Sequence, residues 1–167
     1  MMFGHIASGL AIKPLAPKIP LWVLLVSAEF LDIICMAIFL PLGIERASTD
    51  PTIGFIAWSH GLFMSVIWSL LAFAVGFIIF RNERFKTGLI IGLMVFGHWV
   101  LDFISHPMGF GKTLPPDMPL LFADSAKIGL GLYQTVPGAI ITELVLFITG
   151  IVIYINYRKK IAVNGKL

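Results

Sequence analysis

Four stretches of this chain, residues 20–40, 60–80, 87–104 and 136–157, are apolar over lengths close to those that cross a bilayer. A hydrocarbon core of roughly 30 Å takes about 20 helical residues. Inside such a core every backbone N–H and C=O must bond within the protein, which restricts segments of this length to α-helices. The expected fold is an all-α integral membrane protein: a four-transmembrane-helix bundle forming a single membrane domain, 1–167. Composition agrees, since 58% of residues are hydrophobic and 13% charged, against about 25% charged in an average soluble domain. Pro20 suits a helix start, where a missing N–H does no harm. Pro41 ends the first span, and Pro107 disfavours helix beyond His106. Residues 1–12 are apolar but too short to span, and they lack the charged leader and cleavage site of a signal peptide. They read as a short N-terminal helix, interfacial or dipping partway into the bundle.

Lys and Arg between the spans set the orientation. Lys13, Lys18, Arg81, Arg84, Lys86, Arg158, Lys159, Lys160 and Lys166 fall on one side, and Arg46, Lys112 and Lys127 on the other. The positive-inside rule then makes both termini and the 81–86 turn cytoplasmic. The loops 41–59 and 105–135 face outward, the latter an extended outer loop between spans 3 and 4. The basic residues cluster at span ends, with no patch interleaved with aromatics, so membrane lipids are the expected partners and nucleic acid is not. The lone Cys35 excludes an internal disulfide.

Against this apolar background, ionisable residues within the spans stand out. Gly97-His98-Trp99-Val100-Leu101-Asp102-Phe103-Ile104-Ser105-His106 places two imidazoles and a carboxylate on one face, because at about 100° per residue Asp102 lies about 40° around from His98 and His106 about 80°. Counting inward at about 1.5 Å per residue puts Asp32 roughly 13 Å, His98 roughly 12 Å, Glu143 roughly 10 Å and Asp102 roughly 6 Å below the outer surface, with His60 at the rim and Glu29 near the midplane. His5 reaches the level of Glu29 if residues 1–12 enter from the cytoplasmic side. Glu29, Asp32, Asp102 and Glu143 together cost on the order of 10 kcal/mol to bury, at about 2.5–3.5 kcal/mol each. No Lys or Arg lies within the spans to offset them.

Each group has a plainer reading. His98 and Asp102 make a structural i, i+4 pair, Ser59 an N-cap, Glu29 or Glu143 a protonated acid bonded to a neighbouring helix. Their convergence on one end of one bundle points instead to a bound cation. Oxygen and imidazole donors suit zinc first, with manganese or iron as alternatives, over a soft copper site.

Three loop features are weaker. Gly109-Phe110-Gly111-Lys112-Thr113 lacks the spacing and preceding strand of a phosphate loop. Asp117 and Asp124 read as solvated loop acids or mouth residues. Gly129-Leu130-Gly131-Leu132-Tyr133 reads as a flexible approach to the last span that could serve as a lid.

The order Gly4-His5, Glu29-Phe30-Leu31-Asp32, Trp58-Ser59-His60-Gly61-Leu62 and Gly97-His98-Trp99-Val100-Leu101-Asp102 resembles the YdjM-like family of inner-membrane-bound metal-dependent hydrolases, over most of the chain. In that family an early His, a Pro-Asp-x-Asp element, a Thr-His-Ser element and a His-x-x-x-Asp element recur. Here the second element keeps two acids three apart without the proline, and the third reads Ser-His-Gly. The resemblance implies a membrane-embedded hydrolase acting on a lipid or phosphoester at the outer leaflet of a prokaryotic inner membrane. It implies a divalent ion held by His5, Asp32, His60, His98 and Asp102. Glu29 is then the general base, and Glu143 orients a ligand histidine from behind. Ser59 and His106 stand beside the ligands or at the mouth. The competing expectation is a non-enzymatic membrane protein, a cation or proton transporter or a regulatory protein, whose buried acids and histidines bind or relay a cation.

Overall fold

A computed structural model describes residues 1–45, 57–107, 118–122 and 124–163, the side chain of Met2 aside. The described residues are mostly helical. Helix α1 spans Met2–Ile12, α2 Leu21–Ala28 and α3 Phe30–Ile34, which runs on into a π-helical turn at Cys35–Phe39. Then come α4, Ala57–His60, α5, Leu62–Ile79, and α6, Arg84–Ser105. A two-residue antiparallel pair, β1 Met118–Pro119 and β2 Lys127–Ile128, matches Met118 to Ile128. A 3-10 turn at Leu132–Gln134 leads into α7, Val136–Val163.

Helix α6 is the centre of the bundle, with half of its most apolar stretch buried inside the protein; for α5 and α7 the share is 11%. Leu70, Val75, Ile78 and Ile79 on α5, and Ile140, Ile141, Leu144, Val145 and Ile148 on α7, are exposed. Apolar faces of that extent are stable against lipid or another protein surface, not against water. Three helices are long and apolar enough to cross a membrane, or four if the bent α2–α3 pair is one span.

The contact between α5 and α6 depends on small residues. A Cβ at Gly88 would stand 2.7 Å from Phe73 O, and one at Gly92 2.8 Å from Ser69 O. Glycines four apart on one helix let backbones approach closely where no hydrophobic force drives helices together. The connecting turn places Glu83 at φ 54, and the adjacent Lys18 ammonium holds the exposed Glu83 carboxyl below its ordinary range. Two apolar clusters finish the packing: Ala16, Ile19, Leu24, Ala28 and Met94, and Leu31, Ile34, Val95, Trp99 and Met118.

The expected first span, 20–40, is not one continuous helix. It bends by 65° between α2 and the helical run Phe30–Phe39, and the break is Glu29, at φ −95 and ψ 4. The second expected span is interrupted too: Gly61 is extended, at ψ 142, between α4 and α5. Both interruptions fall beside the acids and histidines of the apolar segments.

Candidate metal centre

Five side chains from four separate elements meet inside the bundle. His5 comes from α1, Asp32 from α3, His60 from α4, and His98 and Asp102 from α6. His5, His60, His98 and Asp102 are all at most 4% exposed. The Asp32 side chain is 39% exposed, so the cluster has one open side.

Four donor atoms define the tightest part of the cluster. His60 Nε2 lies 3.1 Å from Asp32 Oδ1 and 3.6 Å from Asp102 Oδ2. His98 Nε2 lies 3.8 Å from Asp32 Oδ1 and 3.2 Å from Asp102 Oδ2. Donors held tetrahedrally about 2.1 Å from a central ion lie about 3.4 Å apart. The four separations lie near that value, and the donor atoms of Asp32, His60 and His98 all lie within 4.8 Å of one another, a group that could hold a metal ion.

The far side of each ring faces an acceptor. His98 Nδ1 donates to Ala28 O at 2.6 Å. That carbonyl sits at the end of α2, where the break at Glu29 turns it towards α6. The Ser59 hydroxyl donates to Glu45 Oε2 at 2.8 Å and lies 2.6 Å from His60 Nδ1. With its proton committed to Glu45, Ser59 Oγ accepts from His60 Nδ1–H. Glu45 is itself buried and also takes the Ser59 backbone N–H through Oε1, at 2.7 Å. Each histidine has an acceptor for an Nδ1 proton behind it, and its Nε2 faces the acids, with His60 Nε2 in hydrogen-bond contact with Asp32 Oδ1 at 3.1 Å. A histidine protonated at Nδ1 ligates through Nε2.

His5 stacks against His98, ring centroids 3.5 Å apart. Its Nε2 is 3.3 Å from Asp102 Oδ1 and its Nδ1 3.8 Å from Asp32 Oδ2. The Met1 ammonium also lies 3.3 Å from Asp102 Oδ1. His5, Glu29 and Asp32 offer donor atoms within 4.8 Å of one another, as do His5, His98 and Asp102, and Asp32, His60 and His98.

Several expected roles take a different form. Glu143 bears on a histidine through the backbone, accepting the Gly4 N–H next to His5 at 2.8 Å, one of the unpaired N–H groups at the start of α1. Ser59 is not an N-cap, because it lies inside α4 and turns its hydroxyl to His60 and Glu45. His60 is not a rim residue remote from His98: their ring centroids are 5.3 Å apart. The depth count assumed a straight helix from 60 to 80, whereas Gly61 separates α4 from α5. His106 is in none of the three donor groups; it caps the C-terminus of α6, its backbone N–H bonded to Asp102 O and its carbonyl to Gly131 N–H. The 129–133 stretch is likewise tied down, through Leu130 N–H to Phe103 O at 2.8 Å. Asp124 is exposed. Gly109 to Thr113 and Asp117 lie outside the described residues.

Sequence reasoning missed Glu45 and the Ala28 carbonyl. Glu45 lies in a connecting segment where an acid carries no signal of its own. A backbone carbonyl becomes a partner only where a helix breaks, and Leu21 to Phe39 contain neither glycine nor proline to announce one.

No protein-family model, curated protein or solved structure matches this chain. Its functional reading therefore rests on the geometry of the cluster.

Proposed function

We propose that this chain is a membrane-embedded, metal-dependent hydrolase of the YdjM-like kind, with zinc as the resident ion. In this reading its four spans lie in a prokaryotic inner membrane with both termini cytoplasmic, and its substrate is a lipid or phosphoester reached from the outer leaflet. The observation that carries it is the meeting of His60, His98, Asp32 and Asp102, with each histidine's Nε2 turned to the acids and an acceptor behind its Nδ1. A bound divalent ion supplies a Lewis acid and lowers the pKa of a water from about 15.7 towards 7.

The protein's own groups supply the rest. Glu29 brings a half-buried carboxylate beside Asp32 and His5, and it is the proton acceptor in this reading. Asp32 forms the open side of the cluster, where a substrate oxygen enters. His5 closes the opposite side by stacking on His98.

Metal analysis after chelator-free purification, with a hydrolysis panel of phospholipids and soluble phosphoesters, tests the reading. Stoichiometric zinc and hydrolysis of at least one panel member are expected, and both should vanish in the His98→Ala, Asp102→Ala double variant. Wild-type protein without bound divalent metal sinks the proposal.

The break at Glu29 favours one second reading, a cation or proton carrier, because discontinuous helices in membranes place helix ends and acids at ion sites. Ion flux into liposomes that depends on Asp32, without hydrolysis of any panel member, would select it.

A further inference from the structure

His5 shows its two ring nitrogens to two different carboxylates, and a neutral imidazole has only one N–H to give. A proton on Nε2 would face Asp102 Oδ1, the nearer carboxylate at 3.3 Å. The Nδ1 lone pair is then left facing Asp32 Oδ2 at 3.8 Å. Glu29 brings a carboxylate oxygen to the same place, with donor atoms of His5, Glu29 and Asp32 within 4.8 Å of one another. Among the described residues, both ring nitrogens of His5 and Glu29 Oε1 are buried without a hydrogen-bond partner. With the His5 proton on Nε2, three electron-pair donors converge there, an arrangement that burial makes costly unless a cation fills it.

This convergence is distinct from the four-donor set. His60 and His98 use Asp32 Oδ1, whereas His5 faces Asp32 Oδ2. Asp102 is divided the same way, with Oδ2 towards His60 and His98 and Oδ1 towards His5 and the Met1 ammonium. Asp32 thus offers one oxygen to His60 and His98 and the other to His5.

We propose that the centre is dinuclear. A second divalent cation is held by His5 Nδ1, Asp32 Oδ2 and one oxygen of Glu29, with Asp32 bridging the two ions and Asp102 fixing His5 from behind. The proposal rests on the first metal position described above, and it leaves the other Glu29 oxygen to take a proton. Ions that share a bridge of this kind in two-metal hydrolytic sites stand about 3.5–4 Å apart.

Full-length protein in detergent, stripped of metal and titrated with manganese(II) alone, provides the test. Two manganese ions per chain are expected, with the electron paramagnetic resonance spectrum of an exchange-coupled pair. Glu29→Gln and His5→Ala should each retain one ion and give the spectrum of an isolated manganese(II). One ion per chain in the wild type, or two in Glu29→Gln, overturns the second position and leaves the first intact. No ion in the wild type overturns both. The wild-type count decides even where a variant fails to fold.

Discussion

Glu143 of α7 accepts the backbone N–H of Gly4 at 2.8 Å, across 139 positions of sequence. The bond fixes the start of α1, and with it His5 one residue further on. A carboxylate suits this place because the first N–H groups of a helix have no partner within it and the dipole there is positive.

Glu143→Ala should therefore weaken the metal centre without touching a metal-facing atom. A residue that supports a ligand from behind is worth 10–100-fold in metal affinity, and a fall of about that size is expected. Glu143→Gln should keep much of the effect, since its amide oxygen still accepts the Gly4 N–H. Competition titrations with a chromogenic chelator measure both. Equal affinity in wild type and Glu143→Ala would disconnect Glu143 from the centre.

Removing the lock behind His60 has a different signature. In Ser59→Ala the Nδ1–H of His60 loses its acceptor and Glu45 Oε2 loses a donor, both in a buried setting. Stability should fall by about 1–3 kcal/mol, the usual consequence of leaving a buried polar group unpaired, and zinc affinity by about 10-fold. Ser59→Thr should restore both, because it keeps the hydroxyl. Thermal unfolding with and without zinc separates the two effects.

The apolar lengths and the i, i+4 spacing of His98 and Asp102 were legible in the sequence because both depend on local periodicity. His5, Asp32 and His60 were legible as candidates, since an ionisable group in an apolar segment is conspicuous wherever it sits. Their distances were not. Depth counted along straight helices separates His60 from His98, and the break at Glu29 together with extended Gly61 brings them together. Glu45 was invisible for the opposite reason: in a polar connecting segment an acid is unremarkable until folding buries it against Ser59.

Gly88 sits at a close approach of α6 to α5. Its missing Cβ would lie 2.7 Å from Phe73 O and 3.1 Å from Phe77 N, both backbone atoms that cannot rotate away. Gly88→Val should destabilise the hairpin by at least the 1–3 kcal/mol typical of overpacking. Gly97→Ala is the control, because nothing lies within 4 Å of its added carbon. Thermal unfolding in detergent should show a large loss for the first and little change for the second.

His98 and His106 lie two turns apart on one face of α6, and by spacing alone they are equal candidates. His98 Nδ1 is tied to Ala28 O, and its Nε2 faces Asp102 at 3.2 Å. His106 lies at the end of the helix, where its backbone bonds Asp102 O and Gly131 N–H, and it is in none of the donor groups that could hold an ion. Alanine preserves those bonds. His98→Ala should abolish stoichiometric zinc binding, since it removes a donor and leaves Ala28 O unpaired. His106→Ala should hold zinc within about 2-fold of wild type, well inside the 10–100-fold that loss of a supporting residue produces. Isothermal titration of the two variants distinguishes them, and a 100-fold loss in His106→Ala would mean that the centre extends to the end of α6.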